Sequence, residues 1–141
     1  MIIVDVNVLI FAYNADAPQH EKSRDWLERA LSGSEAIGLP WAVVHGFLRI
    51  TTNSPAVQPA FSIEEALAIV DEWFTSPAAT VVEPGPRYFS IFRNLLVDGQ
   101  VEGALVSDAH IAALAVENDA AVCSTDRDFR DFPVRLINPL V

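Results

Sequence analysis

Three aspartates stand where an α/β chain would do chemistry with carboxylates. Asp5 closes the β-branched run Ile2-Ile3-Val4, so the first strand delivers it to a carboxyl end. Asp126 follows the apolar run Ala120 to Cys123, a short strand without alternation and therefore covered on both faces. Asp108 falls in the first turn of a helix that Ser107 is placed to cap and that runs to about Glu117 or Asn118, where the helix dipole favours an anion. In open α/β sheets, sites form outside the carboxyl ends of the strands. Carboxylates gathered there repel one another, and their usual partner is a hard cation with oxygen ligands, Mg²⁺ or Mn²⁺. Such a cation serves phosphodiester cleavage by activating water and stabilising the leaving oxygen.

The positioning elements are legible around these acids. Asn7 either orients Asp5 or caps the helix that begins at Val8 to Phe11. His20 to Leu31 forms an amphipathic helix with His20 on the surface, Ala36 to Leu39 a second strand, and Pro40 the first position of a helix through Trp41, Val44, Phe47 and Leu48. Ser54 to Ala60 is a Pro-punctuated loop. Ser62 and Glu65 make a capping box for a helix through Phe74. Ala79 to Val82 is a third strand, Arg87 to Leu96 a helix, and Val134 to Ile137 a last strand. The order gives an α/β sandwich with a central, mostly parallel β-sheet flanked by helices.

Composition narrows the function. The chain has 141 residues with 51% hydrophobic content, which suits one domain spanning residues 1–141. Its 19 acidic and 9 basic residues leave a net charge of −10, so nucleic acid cannot be held by a broad basic surface and any contact must be local or cation-assisted. Cys123 is the one cysteine and sits in an apolar strand, which excludes a disulfide framework and a thiolate zinc site and fits a reducing cytosol. The opening MIIVDVNVLI lacks the pattern of a signal peptide, and no apolar run approaches a membrane span. A soluble cytoplasmic protein is expected. An aspartyl-phosphate hydrolase or receiver domain is disfavoured, since it needs a lysine near the phosphate and the sole lysine, Lys22, is on a remote helix.

The strand into DVNVL, the SDAHIAALA helix start and the final STDRDF loop, in that order, resemble the PIN-domain nucleases and more closely the VapC-type toxins of toxin–antitoxin pairs. The resemblance spans nearly the whole chain. It implies a PIN-like three-layer sandwich and a Mg²⁺-dependent endoribonuclease with Asp5, Asp108 and Asp126 as metal-binding acids. Asn7 and Thr125 would support them, with Asp128 as a fourth ligand candidate. It further implies a VapB-type antitoxin, an RNA substrate and a homodimer. Members usually carry a Glu in a stretch resembling E-F-L-R, where this chain has Gly46, Phe47, Leu48 and Arg49. His45 stands one position earlier, but one residue turns a helical side chain by about 100°, and an imidazole suits Mn²⁺ better than Mg²⁺. Arg49 is a candidate RNA-phosphate contact. The alternative reading is a degenerate domain that binds antitoxin or RNA without efficient turnover, because the usual second acid is missing. Trp26, Trp41 and Trp73 read as packing anchors.

Overall fold

A computed structural model describes residues 1–53 and 55–141; Ser54, the first residue of the expected Pro-punctuated loop, lies outside the described residues. Consecutive apolar, β-branched segments form the strands β1 (Ile2–Val4), β2 (Ile37–Pro40), β3 (Ala79–Val82), β4 (Ala121–Cys123) and β5 (Leu136–Ile137). They pair in the order β3-β2-β1-β4-β5, and every pairing is parallel. Between them run the helices α1 (Val6–Tyr13), α2 (His20–Ser32), α3 (Trp41–Asn53), α4 (Ile63–Thr75), α5 (Tyr88–Asp98) and α6 (Leu105–Glu117), with a 3₁₀ turn at Arg127–Asp131. This is the expected α/β sandwich, with helices packing on a wholly parallel sheet.

The strand order fixes the site before any side chain is considered. The chain builds outward from β1 to β2 and β3 on one side, then returns to lay β4 and β5 on the other. The reversal lies between β1 and β4, the point at which such sheets open a crevice. Val4 is in register with Cys123, and the Asp5 N–H donates to the Cys123 carbonyl at 2.9 Å. Asp5 and the segment after Cys123 are therefore neighbours through the backbone.

The core beneath is apolar and closely packed. Ile3, Val4, Val8, Leu9, Val122 and Cys123 are fully buried, as are Phe47 and Trp73 where α3 meets α4. The Phe47 and Trp73 rings meet edge-on with centroids 4.7 Å apart, and Trp73 Nε1–H donates to the Tyr13 hydroxyl at 2.9 Å. Truncating Phe47 to alanine leaves a hole bounded by rigid rings, so Phe47→Ala is expected to cost about 3–5 kcal/mol by urea titration. A loss below about 1 kcal/mol would mean that the rings collapse to fill the gap.

Several elements differ from the sequence reading at their ends. Pro40 closes β2 rather than opening α3, because its carbonyl and φ also suit the last residue of a strand and Trp41 is free to start the helix. The Ser62–Glu65 capping box is present as expected. His20 is half-buried, with Nδ1 2.9 Å from the Phe11 carbonyl, so packing of α2 on α1 overrides the surface placement expected for it. Of the three tryptophans, Trp73 is core and Trp26 packs against it, while Trp41 is 44% exposed beside Phe74.

Ser107 is not the helix cap. α6 begins two residues earlier, after a left-handed turn at Gly103 (φ 63°) whose carbonyl accepts the Val106 N–H at 3.1 Å, and Ala104 occupies the cap position. Leu105 and Val106 are exposed there and give no helical periodicity for sequence reading to detect. Asp108 nevertheless remains in the first turn.

Candidate metal centre

Asp5 is fixed by its neighbours on every side. It is the N-cap of α1, its Oδ1 accepting the Val6 N–H at 2.8 Å, while Oδ2 accepts from Asn7 Nδ2 at 3.1 Å and from the Ser124 hydroxyl at 2.8 Å. Asn7 thus orients Asp5, and Asp5 itself does the capping. Burial pushes the Asp5 carboxyl above its ordinary range; the Ser124 and Val6 hydrogen bonds oppose that, and the Asp126 charge adds to it.

Across the crevice the β4 loop folds on itself through its own side chains. The Asp126 N–H donates to Ser124 Oγ at 2.9 Å, and the Asp128 N–H donates to Asp126 Oδ1 at 2.9 Å, capping the 3₁₀ turn. Thr125 supports the site through its backbone, its N–H donating to Asn7 Oδ1 at 3.3 Å.

α6 brings the third acid. Carboxylate oxygens of Asp108, Asp126 and Asp128 lie within 4.8 Å of one another, with Asp108 and Asp126 half-buried and Asp128 exposed. Burial first, then the charges of Asp126, Asp5 and Asp128, push the Asp108 carboxyl up to about 6. Four acids therefore act on one another electrostatically. Hard oxygen donors at this spacing fit a divalent cation better than they fit one another, so the residues present suit Mg²⁺ or Mn²⁺.

The other sequence candidates fall outside this group. His45 is exposed on α3 and does not belong to the acid cluster among the described residues. Arg49 is exposed, without an ion pair among the described residues. Gly46 faces α1: a Cβ added there would stand 3.3 Å from Val6 Cγ2, beside Asp5. The missing glutamate position thus faces the residue that follows Asp5. Asp128, ranked below the three other acids from sequence, joins Asp108 and Asp126. Ser124 was not among the sequence candidates although it lies fully buried between Asp5 and Asp126; its signal was its place as the first polar residue after an apolar strand. A cavity of about 560 Å³ between α1, α2 and α4, lined by Tyr13, His20, Arg24, Glu28 and Trp73, contains none of these acids.

Comparison with known proteins identifies the family and the fold. The PIN domain family model matches residues 2–134. Ribonuclease VapC43 of Mycobacterium tuberculosis is 41% identical over 132 residues, covering 94% of this chain and 90% of that protein. Ribonuclease VapC25 of the same organism is 37% identical over 140 residues, covering 99% of each. Among solved structures, VapBC-1 from nontypeable Haemophilus influenzae superposes with a TM-score of 0.70 at 13% identity over 100% of both chains. VapBC2 from Rickettsia felis, bound to a promoter DNA fragment, does so with a TM-score of 0.68 at 17% identity over 98% of each. With its parallel sheet, its acids at the β1–β4 crevice and a family match over nearly its whole length, the chain belongs to the PIN-domain family, in its VapC-type branch.

Proposed function

We propose that residues 1–141 form a single PIN domain that acts as a divalent-metal-dependent endoribonuclease, the cytoplasmic toxin of a toxin–antitoxin pair. The observation that carries this reading is the convergence of Asp108, Asp126 and Asp128 within 4.8 Å beside the buried Asp5, in a chain whose relatives are named ribonucleases.

Asp5, Asp108 and Asp126 are the catalytic acids, with Asp128 a further ligand on the open side of the site. A Mg²⁺ or Mn²⁺ ion held by these carboxylates would supply charge neutralisation at the scissile phosphate and a more acidic water. The protein's own contribution is rigidity: Asn7 and the Thr125 N–H hold Asp5 and the β4 loop in one frame. Arg49 on α3, with Arg127 and Arg130 on the 3₁₀ turn next to Asp126 and Asp128 in sequence, are exposed cations available to RNA phosphates. Because the whole chain carries a charge of −10, these local contacts favour one structured RNA over indiscriminate binding. Neighbours solved as VapBC complexes support a small VapB-type antitoxin partner and, by family likeness, a homodimer.

Purified chain, free of antitoxin, is expected to give discrete products from total cellular RNA with Mg²⁺ or Mn²⁺ and none in EDTA. Cleavage that is equal with and without EDTA would overturn the metal-dependent reading. Gly46 favours a second reading, since α3 lacks the carboxylate that members usually place there: a domain that binds antitoxin or RNA without turnover. Cation binding without any RNA product across a complete panel would select it.

A further inference from the structure

Ser124 is fully buried at the junction of the two central strands, and its hydroxyl has no hydrogen-bonding capacity left over. A serine hydroxyl offers one donor and two acceptor sites. The Asp126 N–H, at 2.9 Å, takes one acceptor site. Asn7 Nδ2, at 3.2 Å, takes the other, and the Asn7 amide is oriented by the Thr125 N–H bound to its Oδ1. The hydroxyl proton is left for Asp5 Oδ2 at 2.8 Å. With the Asp128 N–H on Asp126 Oδ1, the links form a chain from Asp5 through Ser124 and Asp126 to Asp128, across the β1–β4 crevice.

We propose that Ser124 is a positioning residue whose hydroxyl sets the distance and orientation of the Asp5 carboxylate relative to the Asp126 loop. The inference deepens the nuclease reading and rests on it. Removing the hydroxyl takes away the acceptor of the Asp126 N–H, leaves Asn7 Nδ2 with Asp5 Oδ2 as its remaining acceptor, and leaves Asp5 Oδ2 only the Asn7 donor. Among the described residues, the remaining ties between the end of β1 and the acid loop are then the backbone pairing and the Asn7–Thr125 contact. Misplacement of reacting groups by about 1 Å costs on the order of 10²-fold in rate. Ser124 is too deep to touch RNA, so the loss belongs to cation binding and turnover rather than to substrate affinity.

The test uses the full chain, free of antitoxin, as wild type, Ser124→Ala, Ser124→Cys and Ser124→Thr. Mn²⁺ is titrated calorimetrically and RNA cleavage is measured for kcat and KM. Thr keeps the hydroxyl, and its β-branch suits the end of a strand; Cys keeps the size but donates weakly. Ser124→Ala and Ser124→Cys are expected to bind Mn²⁺ about 10–100-fold more weakly, with kcat reduced and KM unchanged, while Ser124→Thr stays within about threefold of wild type. In metal-free protein the Asp126 amide should exchange faster in both weakened variants. If Ser124→Ala does not fold, the Cys and Thr variants carry the comparison. Wild-type Mn²⁺ affinity in the folded Ala or Cys variant overturns the proposal, as does a loss confined to KM or a folded Thr variant that binds as weakly as Ala. Wild type that binds Mn²⁺ but cuts no RNA sinks the nuclease reading alone, and the affinity comparison still decides Ser124. Wild type that binds no Mn²⁺ overturns both.

Discussion

Asp126→Asn is expected to lower kcat for RNA cleavage on the order of 10²–10³-fold, in line with removing one preorganised electrostatic group from an active site, while leaving the fold intact. Asn keeps the oxygen that accepts the Asp128 N–H and so preserves the cap of the 3₁₀ turn. What it removes is one negative charge from the Asp108–Asp126–Asp128 cluster. Asp5→Asn is a less clean probe: whichever oxygen becomes the amide NH₂ group, a donor then faces either the Val6 N–H or the Asn7 and Ser124 donors. Activity within tenfold of wild type in folded Asp126→Asn protein would remove Asp126 from the catalytic set. A large loss with a melting temperature in EDTA no lower than that of wild type would assign the effect to the site rather than to the fold.

Asp108 makes the site sensitive to pH in two ways. Its carboxyl titrates at about 6 against an ordinary 3.8, raised first by burial and then by the charges of Asp126, Asp5 and Asp128. A carboxyl with a raised folded-state pKa contributes stability that is complete below the unfolded value and is lost as pH rises through the folded one. Metal-free protein is therefore expected to lose stability from pH 4 to pH 7 at this site. Asp108→Asn should abolish that loss and melt higher in EDTA at pH 7. Mn²⁺ should also restore the stability of the wild type, because a ligand of the native state stabilises it by mass action. Proton competition at Asp108 should weaken Mn²⁺ binding about tenfold between pH 7 and pH 5. Calorimetric titration at those two values checks the second effect, and thermal melts in EDTA check the first. A melting temperature for Asp108→Asn that falls at pH 7 in EDTA would show that Asp108 holds the fold rather than straining it.

Burial beside other carboxylates raises the Asp5 and Asp108 carboxyls, which works against the metal-free fold at neutral pH. The core offsets that cost: the apolar strands and the Phe47–Trp73 contact lie well inside the molecule.

The architecture and the four candidate acids, Asp5, Asp108, Asp126 and Asp128, were legible in the sequence alone. Runs such as Ile2-Ile3-Val4 and Ala121-Val122-Cys123 read as strands buried on both faces, because parallel sheets cover both faces with helices and leave no alternation. Local chemistry was equally legible where partners lie within a few residues, as in the Ser62–Glu65 capping box. The family likeness carried by DVNVL, SDAHIAALA and STDRDF supplied the rest of the frame, and the family match over residues 2–134 bears it out. How the acids group was visible only in the folded chain. Asp128 joins Asp108 and Asp126 because the Asp126 cap turns the chain back on itself. Ser124 becomes the link to Asp5 because β1 and β4 are neighbours in the sheet although 119 positions separate the two residues. The start of α6 moved to Leu105 because the left-handed turn at Gly103 nucleates it, while Ser107 carries the more familiar capping side chain. Periodicity and capping report on contacts within one turn or one strand. Contacts between strand ends depend on pairing order, which no local window of sequence contains.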